Sequence, residues 1–497
     1  MDNFTALIIA TAAYLAVCIF IGIYTSRVKV RKASDFFLAG GGLHPIVVSL
    51  AMMATVFSAW FILGHQGTTY LQGVPYIAHF MHIPLMGMIS LLFFPRLWAV
   101  ARRNGNITPS ELFGNYFDSE LVRILIVVVA ALYAVPYVAL QLRGAGYTLE
   151  TLSGGRVTAF SGAIVLGVVV VLYVFLGGLK AAAYTDSIQG VLLCIGAFLL
   201  GATTIGAVAA LNPEGFFPQF KLGIEAQGVG YYTLPSLGET WSWPYILSIA
   251  LATCGIYFSP SYMMLVTSAR TTKTFRWQGI VIMTCIMGFM YFIFSAIVGM
   301  GGRNIVTDLA NTDALSLEVV FNYMPPVAFV ITALGILAAM NSTAAGYLAN
   351  TSTIFARDLY VRYINKDAPP RKQVFMGRMM VLVIVIIAVI FSVAVLDLLV
   401  LLGTFATAFG LLLAPAIFAV TYCPRITKQA INLGLICGIV TVMFTYFGPV
   451  RYPLGIHMGG WGLIVNVAVV AVVTKLTAPP SKEALARTHG MWDERYR

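Results

Sequence analysis

Runs of about twenty mostly apolar residues recur along almost the whole chain, at 5–25, 46–71, 75–98, 121–148, 158–177, 186–210, 244–268, 278–301, 327–353, 376–396, 398–422, 430–448 and 459–476. Each is long enough for a helix rising ~1.5 Å per residue to cross the ~30 Å hydrocarbon core of a bilayer. The pattern predicts an all-α polytopic membrane protein with about thirteen transmembrane helices and no linker long enough to set off a soluble domain. The first run reads as a helix that stays rather than a cleaved leader. Asp2 stands where a leader has a basic run, and no small-x-small cleavage site follows.

Three runs are not simply hydrophobic. Residues 335–356, GILAAMNSTAAGYLANTSTIFA, crowd Ala339, Ser342, Thr343, Ala344, Ala345 and Gly346 onto a membrane helix. Hydroxyls in hydrocarbon either bond back to a carbonyl one turn earlier or turn toward a partner helix, a cavity or an ion. Spacing alone leaves two readings open: close helix packing, or half of a cation site built from the Ala339 carbonyl and the Ser342 and Thr343 hydroxyls. The second run is interrupted by Ala54-Thr55-Val56-Phe57-Ser58-Ala59, and the seventh carries Gly255 and Pro260 in mid-membrane. Proline removes a donor and clashes one turn back, and glycine permits unwinding, so a break is predicted near 255–260.

Each interrupted run opens a set of five, 46–210 and 244–422. Because five is odd, the two sets run in opposite directions, which is the pattern of an inverted repeat with discontinuous helices holding substrate and ion at the midplane. Residues 1–45 then form a leading helix and loop, 423–476 two trailing helices, and 477–497 a polar tail.

The formal charge of +11 changes the picture only through its placement. Basic residues fall in alternate connections: Arg27, Lys29, Arg31 and Lys32; Arg96, Arg102, Arg103 and Arg123; Arg270, Lys273 and Arg276; Arg357, Arg362, Lys366, Arg371, Lys372 and Arg378. The opposite loops hold only Arg156, Lys221, Arg303 and Arg451. By the positive-inside rule the N-terminus is external and the C-terminus cytoplasmic, in the cell's plasma (inner) membrane. Topology therefore accounts for the charge, and no nucleic-acid partner is expected. The six cysteines lie in or beside apolar runs without paired spacing, so neither a disulfide frame nor a zinc site is indicated. The absence of a Ser/His/Asp constellation, a metal-ligand cluster or a phosphate-cradling loop in a plausible context argues against an enzyme.

Several stretches, in order, resemble the sodium/solute symporter family of proline, sugar, pantothenate, sialic acid and monocarboxylate carriers: SDFFLAGGGLHP at 34–45, ATVFSAW at 54–60, GGLKAAAYTDSIQG at 177–190, ILAAMNST at 336–343 and TSTIFARDLY at 351–360. The resemblance runs from the first segment to about residue 430 and implies a LeuT-type fold of five plus five helices. It also implies Na+ as the coupling ion, held by the carbonyls of Ala54, Phe57 and Ala339 and the hydroxyls of Ser342 and Thr343. Proline carriers have an aspartate where this chain has Val56. Members with a second sodium site have serines where this chain has Ala345 and Gly346, so one sodium per cycle is expected.

The family also has an acid at Asp186 that affects sodium binding. The sequence alone reads Asp186-x-x-Gln189 equally as a capping box at the start of the sixth segment. Tyr137 aligns with a substrate-contacting tyrosine of proline carriers, and Gln141 follows one turn on. Counting ~1.5 Å per residue from Arg123 puts Tyr137 ~21 Å up and Arg143 ~30 Å up, where Arg143 either grips a substrate carboxylate or snorkels to the surface.

Ser58 at the first break, and Tyr257 and Ser259 at the second, complete the expected solute contacts. His79 is placed with them as a lining residue, although His79 and His82, without a nearby acid, read by default as packing or a water-lined vestibule. Proton coupling is the remaining alternative for that pair. VPYVALQLRGAG at 135–146 is more like the monocarboxylate and pantothenate members, which points to a small organic anion, with proline or a sugar as the alternative. A ligand-binding membrane sensor is the alternative of another class. The expected partners are a small solute, sodium and the lipid bilayer, with the protein a monomer or weak oligomer.

Overall fold

The computed structural model describes residues 3–27, 32–234, 241–394, 399–450 and 452–496. Asp2 of the leader reading and Lys29, Arg31 and Arg451 of the charge reading lie outside them. The described chain is helical almost throughout, as a bilayer demands when every backbone group must be satisfied internally. Among the described residues, ten helices are long and apolar enough to cross a membrane, or up to twelve if each of two bent pairs is one span.

The two bent pairs are the interrupted runs. α1 (Asn3–Ser26) leads, followed by α2 (Pro45–Val56) and α3 (Trp60–Gln72), which meet at 51°. Next come α4 (Val74–Leu92), α5 (Phe94–Asn104), α6 (Pro109–Phe117), α7 (Glu120–Leu152) and α8 (Ala159–Ala209). α9 (Trp243–Phe258) and α10 (Pro260–Ser268) form the second pair, bent by 48°. α11 (Lys273–Met300), α12 (Leu315–Tyr323), α13 (Pro326–Ile364), α14 (Pro370–Ala394), α15 (Leu399–Thr421), α16 (Lys428–Phe447), α17 (Met458–Leu476) and α18 (Lys482–Arg487) complete the chain.

The predicted spans 158–177 and 186–210 are joined in α8, whose 51 residues would measure ~76 Å if straight, more than twice the apolar core. The helix turns instead at Gly178, where φ is +58° and ψ −148°, a conformation open to glycine and costly for other residues. Asp186 therefore sits within the second arm of α8 and caps nothing, and Gln189 turns away to donate to the Tyr14 hydroxyl of α1 at 2.7 Å. Gly255 also departs from expectation. It does not unwind α9 but lets that helix touch α15, since a side chain there would overlap the Thr407 carbonyl.

α13 is the central post. It packs on α7, α8, α2, α10 and α14, and nearly every side chain between Gly335 and Ile354 is buried. At one end of the bundle, the basic end, charges tie the elements together. Arg123 of α7 is 6% exposed and donates to Asp358 of α13 at 3.1 Å and to Asn115 of α6 at 2.9 Å. Thr108 donates to the other oxygen of Asp358 at 2.7 Å. Arg357 donates to Glu111 of α6 at 2.7 Å and to Gln373 of α14 at 2.8 Å, and Arg362 pairs with Glu120. The polar tail docks at this end as well: the Arg96 guanidinium lies over the rings of Tyr422 (4.1 Å) and Trp492 (5.1 Å).

Candidate functional site

α2 ends at Val56 because Phe57 leaves the helical region, at φ −72° and ψ 103°, and the last carbonyls of a helix have no partner within it. α13 answers them. The Thr343 hydroxyl lies 3.0 Å from the Ala339 carbonyl, 3.1 Å from that of Phe57, 3.3 Å from that of Ala54 and 3.4 Å from that of Thr55. The Ser342 hydroxyl lies 3.0 Å from the carbonyls of both Ala54 and Ala339. Two hydroxyl protons cannot serve six such approaches, so lone pairs remain turned on one another. The spacing is that of the edges of a coordination shell. Oxygens about 3.0–3.4 Å apart at octahedral corners lie ~2.1–2.4 Å from the centre, the range of oxygen–cation distances for hard ions. All five oxygens named from the sequence meet here, and the Thr55 carbonyl adds a sixth oxygen nearby.

Asp186 lies on the α8 side of this cluster. Its side chain is buried and neither carboxylate oxygen has a hydrogen-bond partner among the described residues. Gly346 faces it across α13: a Cβ at Gly346 would stand 3.8 Å from Asp186 Oδ2 and 3.4 Å from Thr55 Oγ1. A buried carboxylate without donors is costly, and a cation or a proton removes that cost.

Around the break, Trp60 stands edge-on to Tyr137 at 6.5 Å, and Tyr137 packs on Tyr133 and Tyr347 at 5.3 and 4.9 Å between ring centres. The Tyr137 and Ser58 hydroxyls and the Trp60 indole N–H are buried without hydrogen-bond partners among the described residues. The Ser58 hydroxyl is near enough to Tyr137, and the Trp60 N–H to Tyr76, to interact weakly, yet none of the three makes a full hydrogen bond, which leaves them open to a polar ligand. Gln141 is already spent on the backbone. Its Oε1 accepts from the Ala59 N–H at 2.9 Å and its Nε2 donates to the Tyr137 carbonyl at 3.1 Å, so it caps the start of the second half-helix.

Arg143 donates to the Tyr147 hydroxyl at 2.9 Å. Its positive charge also reaches Asp313, in the loop before α12. Burial pushes that carboxyl up to about 6, against the opposing pull of the Leu399 N–H and of Arg143. At the second break, Ser259 is spent as the N-cap of α10, accepting from the Tyr262 N–H at 3.2 Å and donating to Ile256 at 2.8 Å. The Tyr257 hydroxyl accepts from Gln278 at 2.9 Å, with its ring stacked on Tyr262 at 4.4 Å. His79 is buried one turn along from Tyr76, whose carbonyl its Nδ1 meets at 2.6 Å.

Sequence reasoning missed Trp60, His65 and Tyr76. Residues 60–65 form a wide helical turn of i→i+5 type, which brings Trp60 and His65 into a stack at 5.1 Å, and His65 Nδ1 meets the Tyr76 hydroxyl at 2.6 Å. A search at a period of 3.6 puts those two residues on different faces; only the aromatic and imidazole side chains so close to the break could have drawn notice.

The family model for the sodium:solute symporters matches residues 36–438. The chain belongs to the sodium:solute symporter family. This symporter is 24% identical to the uncharacterized symporter YhjB of Bacillus subtilis, over 95% of this chain and 97% of that one. It is 25% identical to the osmoregulated proline transporter OpuE of the same organism, over 96% of each. Among solved structures, a Na+-coupled sialic acid symporter superposes with a TM-score of 0.79 at 19% identity, covering 97% of this chain and 99% of that one. The nucleobase-cation-symport-1 family transporter Mhp1 superposes with a TM-score of 0.56 at 13% identity, covering 92% and 96%. These neighbours give the symporter a LeuT-type fold, and its family makes sodium the coupling ion.

Proposed function

We propose that this symporter takes up a small monocarboxylate-type organic anion together with one sodium ion, by alternating access about the two broken helices. Sodium binds to the carbonyls of Ala54, Phe57 and Ala339 and the hydroxyls of Ser342 and Thr343. The carboxylate of the solute is met by the Trp60 N–H and the Tyr137 and Ser58 hydroxyls. The single observation that carries the reading is the six close approaches among neutral oxygens at the first break, which suit a hard monovalent ion that must bind and also leave. Tyr257 lines the cavity from the second break, and His79 lines its wall beyond Trp60. Ser259 and Gln141 hold the half-helices in place, and Arg143 sits above the site facing Asp313. The basic end faces the cytoplasm.

A second reading, proline as the solute, is favoured by the proline transporters among the relatives. Uptake of lactate, pyruvate and proline into proteoliposomes, under inward sodium or potassium gradients, separates the two. An anion carried with one sodium moves no net charge, so lactate or pyruvate uptake should need sodium and ignore an imposed membrane potential. Proline uptake that rises with an inside-negative potential selects the second reading. Uptake that is indifferent to the cation removes the sodium site.

Asp186 attracts the departing ion. Asp186→Asn should keep or raise thermal stability in potassium, because it discharges an unpaired buried carboxylate, while slowing turnover more than it weakens solute binding. Parallel losses of stability and uptake would make Asp186 a packing residue.

A further inference from the structure

Beside the solute site lies a stack of three imidazoles that sodium coupling does not use. His65 of α3 and His79 of α4 lie 5.5 Å apart between ring centres, and His79 and His82 lie 5.3 Å apart at 26°. All three are essentially inaccessible.

Geometry fixes two of their tautomers. His79 Nδ1 lies 2.6 Å from the Tyr76 carbonyl and His82 Nδ1 lies 2.9 Å from the His79 carbonyl. A carbonyl can only accept, so each Nδ1 carries the hydrogen, and in a neutral ring Nε2 is then a bare lone pair. Both Nε2 atoms are buried without a partner among the described residues. Two unspent acceptors thus stand side by side in one wall.

The groups facing them decide which ligand fits. α3 contributes His65 with Trp60 stacked on it, and α11 contributes Tyr291, 5.6 Å from His82. Trp241 lies 6.5 Å from His79, and α9 sends the Cys254 thiol to the His82 carbonyl at 3.8 Å. His457, before α17, is near enough for its charge to act on His79. None of these groups is an acid or a permanent cation. No cluster of three His, Cys, Asp or Glu side chains among the described residues is arranged to hold a metal ion. A metal ion needs several ligands converging on it, whereas a proton needs only one bare lone pair. Repulsion between rings 5.3 Å apart admits one proton to the pair and opposes a second.

We propose that His79 and His82 form a proton-binding site that takes one proton on Nε2, transferred from hydronium with release of water. The stack is joined to the solute site by a chain of contacts. The Tyr76 ring contacts His79 at 4.5 Å, its hydroxyl holds His65, and His65 stacks on Trp60, which meets Tyr137. A proton at the stack is therefore felt at the solute site. Its influence on solute binding rests on the symport reading above, whereas the proton binding itself does not.

The test is nitrogen NMR of the full chain in lipid nanodiscs with 15N-labelled histidine, a small set of six side chains, titrated from about pH 8 to about pH 4. At the alkaline end two rings should show protonated Nδ1 and bare Nε2, and on acidification one Nε2 signal should convert to the protonated form. His79→Asn and His82→Asn keep a donor near the carbonyl but lack Nε2; each single variant should retain one titrating Nε2, on the ring that remains, and the double variant should lose the titrating signal altogether. Should one variant fail to fold, the other and the native titration still decide. Bare Nε2 signals that persist to the acid end, or Nε2-protonated tautomers at the alkaline end, overturn the proposal. A chain that titrates here but shows no sodium-dependent uptake would keep the proton site and lose the symport reading.

Discussion

Replacing Ser342 and Thr343 together by alanine should raise the sodium concentration required for half-maximal uptake by at least ~100-fold. The two hydroxyls supply two of the five proposed ligands and cross from α13 to the carbonyls of α2 at 3.0–3.3 Å. A polar contact to a charged group is worth about 1.5–3 kcal/mol, so losing two removes ~3–6 kcal/mol, and each ~1.4 kcal/mol is a factor of ten. The alanine methyls restore neither oxygen. Thr343→Ser, which keeps its hydroxyl, should stay within roughly tenfold of the native protein. Sodium titrations of uptake and of thermal stability provide the check, and a native sodium curve in the double variant would place the ion elsewhere.

The second large effect lies at the basic end. Arg123→Ala should destabilise the protein by about 3–5 kcal/mol, because it strands the Asp358 carboxylate, fully buried, with the Thr108 hydroxyl as its remaining donor. Removing both charges should cost far less: Arg123→Met combined with Asp358→Leu substitutes apolar bulk for the pair, an exchange often near neutral in stability. Thermal unfolding of the two single variants and the double variant forms a cycle in which the singles should fall well below the double. Equal and additive losses would show that the pair is not coupled. The same pair joins α6 and α7 to α13, so the surviving double variant should also open the basic end more readily, read as faster cysteine labelling of a residue placed at Asn115.

Much of this was legible in the amino-acid sequence itself. Ser342 and Thr343 stood out because hydroxyls in hydrocarbon must be answered by something, and the resemblance to the symporter family supplied the carbonyls of Ala54 and Phe57 at the interruption. Pro260 marked the second break because a proline on a membrane helix leaves a carbonyl unpaired, whereas Ser259, expected to meet the solute, is spent as the cap of the helix that follows. What stayed hidden depended on contact across the bundle. Gly255 reads the same whether it unwinds a helix or admits a neighbour, and only the Thr407 backbone tells which. Asp186 looked like a cap because Gly178 gave no sign that the helix continues past it. Arg123 looked like a surface marker, yet its buried partner lies 235 residues away. Trp60 and His65 escaped notice because a wide helical turn has a period that ordinary pattern reading does not test.

The crowding of carbonyls around Ser342 and Thr343 also bears on how the site behaves between cargoes. Hydroxyl groups rotate. In the proposed site they would offer sodium their lone pairs; with the ion gone, their two hydrogens can swing onto two of the Ala339, Ala54 and Phe57 carbonyls without moving a backbone atom. A ring of carbonyls alone would repel itself when vacated, and a ring containing a carboxylate would hold its guest too firmly. A latch that fastens equally to an ion or to itself releases without collapse, and the broken helix is ready for the next arrival.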